Sequence, residues 1–154
     1  MLSALRTDVM RNWVPFAFAT TTASIVLEIF ARSFARIITG GGPMEPAALL
    51  MSLLVLGKDL RWFAELLHYG IGLVAFPVGF IILFRASPLR SMPAALQGVI
   101  YGVALWFVAL GIMAPLAGIP FMLNFANLTW ASLIAHVAYT LVLALMIHRM
   151  ADRA

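Results

Sequence analysis

The chain has 154 residues, 64% hydrophobic and 10% charged, with a mean hydropathy of +1.03 and a formal charge of +4. A soluble domain carries about 45–50% apolar and about 25% charged residues, so this chain lacks the polar surface to face water, and lipid is its expected solvent. The length accommodates about four spans of roughly 20 residues and leaves no room for a soluble domain; no basic patch is interleaved with aromatics, which argues against nucleic acid, and zero Cys excludes disulfides, iron–sulfur clusters and thiolate zinc sites.

Residues 1–12 form a polar lead with Arg6, Asp8 and Arg11. The following apolar run continues well past Ala17-Phe18-Ala19, a cleavage-site mimic, so it reads as an uncleaved first helix. Span 1 is expected over 13–38, with Trp13 at an interface. Val14–Leu27 is free of charge; Glu28, Arg32 and Arg36 then follow at helical spacing on one face. Gly40-Gly41-Gly42-Pro43 breaks the helix. The apolar stretch 46–57 is too short to cross, so an interfacial or re-entrant helix is expected there.

Span 2 is expected over 61–84 and opens with Glu65 and His68 one turn apart. Arg85, Pro88 and Arg90 make the next turn. Span 3 covers 94–115 and contains Gly98-x-x-x-Gly102, whose missing side chains permit close helix approach. An uncharged loop with Asn124 and Asn127 leads to span 4 over 128–148. His148 precedes Arg149 near the chain end and is expected to be solvated. The expected fold is an all-α integral membrane protein: one domain, a four-helix transmembrane bundle with a short interfacial helix between spans 1 and 2.

Lys and Arg distribution sets the orientation. The N-terminal lead, the span 2–3 turn and the C-terminus carry two each, against two to four on the other side. Both termini are therefore expected in the cytoplasm of a bacterial inner membrane. Spans 2 and 4 then run inward. His68 falls roughly 9 Å and His136 roughly 12 Å below the outer surface at 1.5 Å per residue. Glu28 falls in the same half, so Glu28, Arg32, Glu65, His68 and His136 share one depth. A shared His-x4-Leu-Val at His68 and His136 suggests two parallel helix-pair repeats, with the histidines facing one another.

Ionisable groups inside a bilayer are costly and face the protein interior. Three roles compete for them here. One is structural, with Glu28 paired to Arg32, Glu65 reaching water or Arg61, and the histidines hydrogen-bonded across helices. The second is a cofactor. Glu65-x-x-His68 has the spacing of a bundle metal site, but Leu133 stands where a second Glu before His136 would be needed. A mononuclear metal site from Glu28, Glu65, His68 and His136 remains, as does a b-type haem held axially by His68 and His136. The third is a proton or ion pathway through Glu28 and Glu65, which with only four spans requires an oligomer. Trp106 reads as core, and Tyr69, Tyr101 and Tyr139 as hydroxyls satisfied across helices. No nucleophile–base pair, phosphate loop or dinucleotide fingerprint is present.

His68-Tyr69-Gly70, Gly98-x-x-Tyr101-Gly102-x-x-x-Trp106 followed by Pro115, and Leu133-Ile134-Ala135-His136-x-x-Tyr139 resemble motifs of small bacterial inner-membrane proteins, the YagU-like set and its relatives, over about residues 60–145. Thr140 stands where that pattern has Gly. The resemblance implies an integral membrane fold without an assigned enzyme activity and carries over no catalytic residue. The first functional expectation is a non-catalytic accessory or assembly subunit, packed in the lipid bilayer against other membrane subunits or itself through small-residue faces such as Gly98/Gly102 and Gly70/Gly72.

Overall fold

The computed structural model describes residues 13–41, 46–85 and 87–151. The polar lead with Arg6, Asp8 and Arg11, the Gly42-Pro43 end of the breaker cluster and the terminal Arg153 lie outside the described residues. Among the described residues there is helix and turn and no strand. Four helices are long and apolar enough to cross a membrane: Trp13–Thr39, Arg61–Phe84, Ala94–Leu116 and Asn127–Met150, called spans 1 to 4 below. The chain is a multi-pass all-α membrane protein.

Each helix end follows from local chemistry. Span 1 stops where Gly40 adopts φ +65° and donates its N–H to the Arg36 carbonyl at 2.9 Å, a left-handed cap that a side chain disfavours. Span 3 ends in the same way at Gly118, φ +74°, with Ile119 N–H closing onto the Ala114 carbonyl at 2.9 Å. The short helix covers Pro46–Leu53. The sequence suggested that it would continue to Gly57, but Leu54 and Leu56 donate back to Leu50 and Met51, and Val55 takes φ +53°, so the chain turns out of helical geometry. This helix buries Ala47 and Leu50 against Ala64, with Leu67, Ile71 and Met113 around them, and so sits on spans 2 and 3.

Span 4 is the axis of the bundle. It buries 44% of its most apolar window inside the chain, against 17–22% for the other spans. It packs most extensively on spans 3 and 1. Small residues allow this. A Cβ built on Gly98 would lie 2.8 Å from the Leu141 Cα, and one on Gly102 would lie 2.7 Å from the Val137 Cα. The buried residues of span 1 are likewise small: Ala19, Thr20, Ala23, Ala31 and Ala35. Backbone-to-backbone approach of this kind supplies the dispersion contacts that hold helices together where lipid removes the hydrophobic drive.

Spans 1 to 3 are not uniform α-helices. They contain wider π turns at Phe30–Phe34, Ile71–Ala75, Ile81–Arg85 and Val108–Met113, while span 4 is α-helical throughout. The π turn in span 2 runs into Pro77, which has no N–H for the carbonyls of Gly72 and Leu73 one turn back. The Tyr139 hydroxyl of span 4 donates to the Gly72 carbonyl. The Tyr101 hydroxyl of span 3 donates to the Phe76 carbonyl at 2.8 Å. Two tyrosines thus fix the irregular middle of span 2. Beyond them Phe80 and Phe84 complete a closely packed aromatic core with Tyr101, Tyr139, Leu143 and Ile147.

Candidate functional site

Glu28, Arg32, Glu65 and His68 lie at the end of the bundle away from Phe84. Span 1 carries Ser24, Glu28 and Arg32 at successive steps of four, so they share one face toward span 2. The Ser24 hydroxyl faces Gly72 of span 2, 3.8 Å from where a Cβ there would stand, and is buried without a hydrogen-bond partner. One turn along, Glu28 meets a guanidinium and an imidazole. Its Oε2 accepts from Arg32 Nε at 2.7 Å, and its Oε1 stands 3.7 Å from His68 Nε2. The first contact is a charge-assisted hydrogen bond. The second exceeds hydrogen-bond length and becomes an ion pair when the imidazole is protonated. Both members of that second pair are about three-quarters buried, with side-chain exposures of 24% for Glu28 and 23% for His68. Arg32 also donates to the Tyr69 hydroxyl at 3.3 Å.

His136 approaches from span 4. Its Nδ1 lies 2.7 Å from the Ser132 carbonyl and 3.3 Å from the Ser132 hydroxyl. A carbonyl only accepts, so Nδ1 carries a proton, and in the neutral imidazole Nε2 keeps its lone pair. Glu28 and His68 therefore form a titratable pair drawn from spans 1 and 2, with His136 carried on span 4.

Glu65 does not join them. It pairs with Arg61 at 3.2 Å on the exposed face of span 2. The i, i+4 partner takes the carboxylate that the Glu65-x-x-His68 spacing offered to a metal. Among the described residues no three of His, Cys, Asp and Glu are gathered closely enough to hold a metal ion. His68 turns Nε2 toward Glu28.

Several polar roles were not visible in the sequence. His148 is half-buried, and its Nε2 lies 3.0 Å from Gln97 Oε1 rather than in solvent. Gln97 is fully buried, and its amide N–H groups donate to the carbonyls of Met92 at 2.8 Å and Leu89 at 3.2 Å. It thereby ties the span 2–3 turn to the end of span 4. Trp106 is half-buried, donates to the Thr129 carbonyl at 3.0 Å and stacks on Trp130 with ring centres 6.4 Å apart. Ser24 and Ser132 each precede a titratable residue by four positions, and that spacing was the available signal for both.

Neither the curated proteins nor the solved structures include a match to this chain, and no YagU-like relative is found. Residues 11–154 match a family described as one of unknown function, DUF6789, and the chain belongs to that family.

Proposed function

We propose that this chain is a non-catalytic subunit that holds an exchangeable proton between Glu28 and His68 within one half of the bilayer, serving a proton pathway completed by further copies or by partner subunits. The observation that carries the reading is the 3.7 Å approach of Glu28 Oε1 to His68 Nε2 across two helices, both side chains being mostly buried. A carboxylate and an imidazole at this distance exchange a proton with small movement, and such pairs inside membranes mark proton relays. In this reading His136 of span 4, its Nδ1 bonded to the Ser132 carbonyl, is the next group after His68. Below them the aromatic core around Phe80, Phe84, Tyr101 and Tyr139 closes the interior of a single copy. A route across the membrane therefore needs neighbouring subunits, which keeps the accessory-subunit role in the proposal. The small-residue argument for it rests on Gly70, since Gly98, Gly102 and Gly72 already face helices of the same chain.

The assembly is placed in a bacterial inner membrane with both termini cytoplasmic, on the Lys and Arg distribution. The test is proton flux into dye-loaded liposomes containing the chain with whatever copurifies stoichiometrically in mild detergent. Glu28→Gln abolishes the flux if the reading is right; unchanged flux counts against it. Purification from native membranes with neither a companion nor self-association removes the subunit role.

A second reading has one specific support. His136 has the Nδ1–carbonyl bond typical of metal-ligating histidines, leaving Nε2 for a b-type haem or metal shared with His68. An optical spectrum and metal analysis of protein made in its own host decide this, and the absence of both a Soret band and bound metal eliminates it.

A further inference from the structure

Span 1 is longer than a bilayer requires. Its 27 residues cover about 40 Å at 1.5 Å per residue, against a hydrocarbon thickness of about 30 Å. With Trp13 at one interface, the opposite interface falls roughly 20 residues on, close to Arg32. Arg32 and Arg36 then occupy headgroup depth on the flank of the bundle. Arg32 has a side-chain exposure of 69%. Its guanidinium has five N–H donors; Glu28 takes one at Nε and Tyr69 takes one at Nη2. The remaining three point to no group among the described residues. Arg36, one turn further out, is exposed and has no side-chain partner among the described residues. On the membrane side of Arg32, Ile29 and Ile25, three and seven positions back and so on its side of the helix, are each 53% exposed, an apolar surface next to the charged one.

We infer that Arg32 and Arg36 bind the phosphate of an anionic membrane lipid, with its acyl chains lying along Ile29 and Ile25. A guanidinium fork matches a phosphodiester in two-point geometry. Glu28 and Tyr69 hold the Arg32 fork in place before the lipid arrives, so little ordering is lost on binding. The Arg61–Glu65 pair on the neighbouring span is internally balanced. With Glu28 subtracted the two arginines retain a net positive charge, which selects an anionic headgroup over a zwitterionic one. The inference uses Arg32 and Arg36 and stands whether or not Glu28 and His68 exchange a proton.

The experiment is native mass spectrometry of the full chain released from phosphatidylcholine discs doped with phosphatidylglycerol. The wild type retains one phosphatidylglycerol in preference to phosphatidylcholine. Arg36→Gln, which removes an exposed and unpartnered side chain, weakens that retention about fivefold, the effect of one basic residue at a lipid surface. Arg90→Gln, in the turn at the opposite end of the bundle, leaves it unchanged. Retention by Arg36→Gln equal to wild type overturns the site, and an equal loss in Arg90→Gln reduces it to general charge attraction. Displacement of the lipid by millimolar inorganic phosphate alone also overturns it, because it identifies a free-anion site.

Discussion

Replacing Gly102 by Ala tests the packing on which every cross-helix contact depends. The new methyl carbon would stand 2.5 Å from Thr140 Oγ1, 2.7 Å from the Val137 Cα and 3.0 Å from the His136 carbonyl oxygen. The Thr140 hydroxyl can turn away, at the cost of its 2.8 Å bond to the His136 carbonyl. The Val137 backbone cannot turn. Ordinary carbon–carbon contact is about 3.5–4.0 Å, so span 3 must withdraw from span 4 by about 1 Å. Overpacking of this kind costs about 1–3 kcal/mol. The matched control is Gly70→Ala, where a Cβ meets nothing within 4 Å. Exchanging that glycine for alanine in a helix gains up to about 1 kcal/mol. The two alanine variants are thus expected to differ by about 1–4 kcal/mol in reversible unfolding in mixed detergent–SDS micelles. Equal unfolding of the two refutes the close span 3–span 4 seam.

Tyr139→Phe leaves the Gly72 carbonyl, one turn before Pro77, without its donor; it is expected to cost about 1–3 kcal/mol in the same unfolding assay. Gln97→Leu removes the bonds to Met92, Leu89 and His148 together, and hydrogen exchange in the 88–92 turn is expected to rise while the middle of span 4 stays protected. Met122, Leu123, Asn124 and Phe125 form a left-handed run, with φ between 48° and 56°. Asn124→Val is therefore expected to lose about 1–2 kcal/mol, and Asn124→Gly to match or exceed the wild type; the reverse order of melting temperatures contradicts the left-handed turn.

The fold class was legible because composition and apolar run length speak directly to the solvent. Gly98-x-x-x-Gly102 was legible as a close-approach motif, but the sequence did not say whether its partner was another protein or span 4. The capture of the Gly72 carbonyl was hidden for a related reason: Pro77 announces a missing donor, while the replacement comes from a tyrosine 67 positions away from the acceptor. His148 looked solvated beside Arg149, and only the fold brings Gln97 to it from 51 positions away. The left-handed turn at 122–125 carries no glycine to signal it; the buried Thr129 hydroxyl donating to the Met122 carbonyl helps hold it. In the polar layer, helical spacing pointed equally to His68 and Arg61 as partners of Glu65, and the oppositely charged neighbour prevailed.

The proposed role requires Glu28 and His68 to share a proton across two helices. Infrared titration of the protein in bilayers tests it most directly. The expected result is a carboxyl C=O band that vanishes in Glu28→Gln and whose titration midpoint moves in His68→Gln. A Glu28 band that titrates identically with and without the His68 imidazole would contradict it.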